Sequence, residues 1–176
     1  VGTENVALGD AAFDSIVSGA NNVAIGHQAL TASTASNHHV AIGRKALATN
    51  SSGAANVAIG MQAMLLNETG DQSVAVGYNA LSAVVSGDYN VAVGSTALYS
   101  NTASNNTAVG YQAAYNNLTA ANSVSIGYQA SYTGQTASGN VAVGFRALYT
   151  NLTGDSIVAL GNDAAFYQTG DGNVAV

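Results

Sequence analysis

The groups that most often run acid–base, nucleophilic or metal chemistry are scarce in this 176-residue chain: three His, nine Asp or Glu and no Cys. Without Cys there is no thiolate nucleophile, no Cys-ligated metal and no disulfide framework. His38 and His39 are neighbours, so in a strand their rings would leave opposite faces, and His27 falls at a different position of the repeat from His39. Zinc needs converging ligands, so these histidines read as solvated turn residues. No Ser sits in a Gly-x-Ser-x-Gly elbow. The pairs Gly70-Asp71, Gly87-Asp88, Gly154-Asp155 and Gly170-Asp171 recur at one position, and Asp71 and Asp88 on adjacent units could share a Ca²⁺. Gly-Asp is equally a turn dipeptide, and the nonapeptide calcium repeat is absent. Asn50, Asn67, Asn105, Asn117 and Asn151 open Asn-x-Ser/Thr triplets, which read as turn asparagines rather than glycan acceptors. The expectation is no catalytic residue, no metal, no cofactor and no enzyme.

Composition narrows the partners. Charged residues are 7% of the chain, against roughly 25% in average soluble domains. The only cations, Arg44, Lys45 and Arg146, are too few to neutralise a row of phosphates, so nucleic acid is not an expected partner. No apolar run approaches the roughly 20 residues that span a bilayer, so membrane insertion by this segment is not expected. The first residues, Val-Gly-Thr-Glu-Asn, lack the basic and apolar regions of a signal peptide.

What the chain has in abundance is repetition. The unit Asn-Val-Ala-(Ile/Val)-Gly-x-x-Ala-Leu places glycines at 9, 26, 43, 60, 77, 94, 110, 127, 144 and 161, seventeen residues apart except for one step of sixteen after Gly94. An eleventh unit starts at Asn173. Residues 1–176 are therefore one repeat array without a second domain. Val precedes the glycine by three positions, and Leu, Ile or Val by one. Between them stand Ala24, Ala41, Ala58, Ala75, Ala92, Ala108, Ala142 and Ala159, with Ser125 as the departure. This β-branched alternation predicts a strand. A column of small residues seven places before the glycine, running from Gly2 and Gly19 through Ser36 and Gly53 to Gly154, predicts a turn with positive φ. Each unit is thus expected to be strand, turn, short second strand and turn. Ten such coils at ~4.8 Å would stack into an all-β parallel solenoid about 48 Å tall.

Stacking turns columns into ladders. Asn5, Asn22, Asn56, Asn90, Asn106 and Asn140, four places before the glycine, suit an Asn ladder joining coil to coil. Five places after it, Tyr99, Tyr115, Tyr132, Tyr149 and Phe166 form an aromatic column, and one place after it Tyr111, Tyr128 and Phe145 form a second. Either the rings stack to stiffen the rod, or they face a ligand such as a sugar ring or a partner side chain.

The strand is apolar on both faces, which implies burial on both. We expect Val and Ile to fill the core of the coil, and the Ala column to pack against copies of itself around an oligomer axis. The first and last units are ordinary repeats rather than caps, as in a stretch of a longer fibre.

Units such as Asn56-Val-Ala-Ile-Gly60-Met-Gln-Ala-Met64 and Thr107-Ala-Val-Gly110-Tyr-Gln-Ala-Ala114 resemble the YadA-like head repeats of trimeric autotransporter adhesins and, more closely, repeats in phage tail-fibre proteins. The resemblance covers the whole chain, although the family's head repeat is usually shorter than 17 residues. It implies a left-handed β-roll, three chains about one axis, and a place on an extracellular, cell-surface or virion fibre. The function expected is a structural or adhesive segment of that fibre, with self and a host glycan or protein as partners. The alternative is a filament subunit, or a monomeric solenoid binding a polysaccharide or ice.

Overall fold

The computed structural model describes residues 3–15, 18–32, 37–134 and 136–176. Gly2 and Ser36 of the small-residue column lie outside them. The strands, in chain order, are β1 (Val6–Leu8), β2 (Val23–Ile25), β3 (Val40–Ile42), β4 (Val57–Ile59), β5 (Val74–Val76), β6 (Val91–Val93) and β7 (Thr107–Val109). They continue with β8 (Val124–Ile126), β9 (Val141–Val143), β10 (Thr150–Asn151), β11 (Val158–Leu160), β12 (Tyr167–Gln168) and β13 (Val174–Ala175). Eleven of them form one parallel sheet in sequence order, from β1 to β9 and then β11 and β13. The protein is a parallel β-solenoid of about ten coils of 17 residues.

Register is strict: Val57 pairs with Val74, Ala58 with Ala75 and Ile59 with Val76, and the same column-to-column pairing holds throughout. The sixteen-residue step leaves it undisturbed, since Val91 pairs with Thr107. The missing residue comes out of the turn. Asn67 Nδ2 donates to the Gly70 carbonyl three residues on, whereas Asn101 Nδ2 donates to the Ala103 carbonyl only two residues on. Among the described residues the expected second strand is confined to the far end, as the pair β10–β12 and a bridge from Thr133 to Thr150. Elsewhere among the described residues that side remains turn-like, although its backbone still bonds to the next coil, as in Leu66 N–H to the Ser82 carbonyl.

The inside and outside of the strand are the reverse of the sequence expectation. Ala24, Ala41, Ala58, Ala75, Ala92, Ala108, Ala142 and Ala159 are fully buried within this one chain, so they do not form a free face for an oligomer axis. They pack in the same core as the second Ala column (Ala29 to Ala147) and the Leu column (Leu30, Leu47, Met64, Leu81, Leu98). Volume decides this arrangement. A 17-residue coil encloses a slim interior, the Leu side chains take most of it, and the facing wall has room only for a methyl group. The flanking Val and Ile must then point outward, since neighbours along a strand take opposite faces.

The two glycine columns differ in their reason. The main glycine adopts positive φ, and at Gly77 (φ 136°) an added Cβ would also lie 2.6 Å from the Gly94 carbonyl oxygen. In the second column the constraint is closeness instead. A Cβ at Gly87 would stand 2.5 Å from the Ala103 carbonyl oxygen and 2.8 Å from Asn90 Nδ2. Positive φ there falls two residues later, at Glu4, Asn21, His38, Ala55, Gln72 and Tyr89.

Candidate functional site

Stacking builds two surfaces and one buried spine, each from columns of the repeat. The first is the outer face of the long sheet. Along it run Val23, Val40, Val57, Val74 and Val91 in one rank and Ile25, Ile42, Ile59, Val76 and Val93 in the next, all half-buried or exposed. Thr107 is its only polar interruption from β2 to β11, and no charged residue falls in these strands. Monomeric soluble proteins rarely leave so continuous an apolar surface uncovered.

The second surface is aromatic. Tyr99, Tyr115, Tyr132, Tyr149 and Phe166 form an unbroken stack, with centroids 5.2, 5.3, 5.2 and 4.8 Å apart and planes within 9° of parallel. Tyr111, Tyr128 and Phe145 stack beside them at 5.3 and 5.2 Å. The ring faces are spent on each other, so what the interior of each stack offers outward is ring edge and hydroxyl. Burial raises the Tyr132 hydroxyl above its ordinary pKa, and the neighbouring Tyr149 and Tyr115 add to the shift. Arg146 links the two stacks, its guanidinium carbon 4.8 Å from the Phe145 centroid and 5.0 Å from that of Phe166. It also grips Asp163 through two bonds, Nε to Oδ1 at 2.8 Å and Nη2 to Oδ2 at 3.0 Å. Sequence reasoning counted Arg146 only as a cation; its place immediately after Phe145 was the available signal.

The third feature is a polar spine. Asn22 Oδ1 accepts the backbone N–H of His39, Asn56 Oδ1 that of Ser73, Asn90 Oδ1 that of Asn106, Asn106 Oδ1 that of Ser123, and Asn140 Oδ1 that of Ile157. The amide nitrogens donate to carbonyls of the small-residue column, as Asn56 Nδ2 does to Gly70 at 2.6 Å. The ladder foreseen in the sequence is therefore present, built chiefly from side chain to backbone. His39 is one of its rungs and is fully buried, not a solvated turn residue. Its Nδ1 accepts the Asn56 N–H at 3.1 Å, which leaves the ring proton on Nε2, 2.8 Å from the Gly53 carbonyl. Burial holds its pKa below the ordinary value, against the opposing pull of Gly53, Asn56 and Asp71.

The Gly-Asp carboxylates cap backbone instead of facing one another. Asp71 Oδ1 accepts the Ala54 N–H at 2.6 Å, Asp88 Oδ1 that of Asp71 at 2.9 Å, and Asp155 Oδ1 that of Ser138 at 2.6 Å. Among the described residues no group of three or more His, Asp or Glu could hold a metal ion. Asn50, Asn67, Asn117 and Asn151 are buried in the turn, out of reach of a glycosylating enzyme in the folded chain, while Asn105 is exposed. Among the described residues no helix is long and apolar enough to cross a membrane. No protein-family model, no curated protein and no solved structure matches the chain.

Proposed function

We propose that this solenoid is a structural and adhesive segment of a homotrimeric surface fibre, a phage tail fibre or the head of a trimeric adhesin, that attaches to a host or cell surface from outside the cell. The observation that carries the reading is the uncharged Val/Ile face, which runs the length of the sheet in two straight ranks. Copies set side by side about a common axis would cover it along its whole length, and burying apolar area at about 25 cal/mol per Å² would hold them together. The number three rests on the likeness of the Asn-Val-Ala-Ile-Gly units to trimeric adhesin heads. The polar spine and the coil-to-coil backbone bonds make the segment a stiff spacer, and the aromatic ranks with Arg146 and Asp163 offer partner-facing chemistry on its flank.

The test is the solution mass by light scattering on a sizing column. A species near three times 17.4 kDa is expected. A clean monomer would overturn the fibre reading and leave a single-chain ligand-binding solenoid in its place.

A further inference from the structure

The buried apolar core is not continuous along the rod. One block ends at Ala114 and the next begins at Ala130. The interruption comes from substitutions in two successive coils. The Leu position becomes Ala114 and then Ser131, the strand Ala becomes Ser125, and the turn Asn becomes Gly134. Ser125, Ser131 and Gly134 line a cavity of about 10 Å³, bounded also by Asn117, Leu148 and Asn151 among others. All these residues are buried. That volume suits one water molecule.

Asn117 supplies the chemical reason for a guest. Its Oδ1 is buried and accepts no hydrogen bond. In one adjacent pair of turn asparagines the amide of one serves the other, Asn67 Nδ2 reaching Asn50 Oδ1 at 3.5 Å. Gly134 has no amide to offer. Nor is it glycine for want of space, since a Cβ there would meet only the Asn151 and Ser131 carbonyl oxygens, at 3.7 and 3.9 Å.

We propose that one structural water is held inside this cavity, donating to Asn117 Oδ1 and sharing its remaining bonds with the hydroxyls that line the chamber. It stands in for the side-chain amide that Gly134 lacks and joins the two blocks of core. The lining has no charged residue, so nothing there would repay the desolvation of a bare cation. A buried water needs two to four polar partners, and Asn117, Ser125 and Ser131 can supply three.

A high-resolution crystal structure of the 176-residue chain should show one density peak about 2.7–3.2 Å from Asn117 Oδ1. NMR cross-relaxation should find one long-lived water near the Asn117 side chain, and Gly134→Asn should abolish both signals. Should Gly134→Asn fail to fold, the wild-type measurements decide by themselves. Either no density at that position, or a peak at the roughly 2.4 Å of a cation–oxygen contact, would overturn the proposal.

Discussion

His39 shows how much a single column position determines. It stands where other coils place Asn, Ser or, once, Ile157, and it serves the ladder through Nδ1, an acceptor only while the ring is neutral. Burial, the leading cause, keeps it neutral by lowering its pKa. The unfolded chain takes up a proton near the ordinary value of 6.5, and the folded chain only below it. Between those two points the unfolded state binds more protons, so stability falls as the pH falls and levels off below the folded pKa. Melting temperature measured from about pH 7.5 to about pH 5.5 should therefore drop more in the wild type than in His39→Asn, which restores the usual rung. Parallel curves would show that His39 does not titrate as described. The sequence displayed the column but not this residue's membership in it. His shares little chemistry with Asn except a planar side chain with one acceptor, Nδ1 standing where Asn has Oδ1.

At the scale of the coil, what was legible and what was not divide cleanly. Strands at Val-Ala-Ile, the turn sites and the Asn ladder all follow from columns, because each depends on residue type at a fixed spacing. Which face of the strand is inside does not follow. Alternation defines two faces and leaves them interchangeable, and both are apolar here; the choice falls to volume, which is set by the Leu side chains from the far side of the coil. A second strand in every coil does not follow either, because a turn-rich segment can pair its backbone with the next coil without extended geometry. The main glycine is the element's strictest demand. Gly77→Ala must hold alanine at φ 136° and push a methyl into the neighbouring Gly94 carbonyl. We expect a loss of ~2–4 kcal/mol in chemical denaturation, against under ~0.5 kcal/mol for Thr102→Ser in an exposed turn. Similar values for the two would show that the coils slide apart easily at the glycine line.

For the whole molecule, adjacent residues of β6 report on different layers. Ala92 lies in the chain's own core, so Ala92→Leu should overpack it and lower the stability of the single chain by ~1–3 kcal/mol. Val91 lies on the outer face, so in the proposed trimer Val91→Glu should keep the circular dichroism of the fold while reducing the light-scattering mass to that of one chain. If Val91→Glu leaves the mass of the assembly unchanged, that face is not what holds copies together. The shortened turn between Asn101 and Ala103 acquires a meaning at this scale. A rod of near-identical rungs has a weakness of its own, because a neighbouring copy displaced by one whole rung finds almost the same surface. Two rungs are a residue short, this one and the last, where Val158 pairs with Val174; the one beside Asn101 breaks that equivalence within the rod, as do the aromatic ranks that begin beside it. In the proposed fibre they would act as index marks on an otherwise uniform scale, by which side-by-side copies keep one register without slipping.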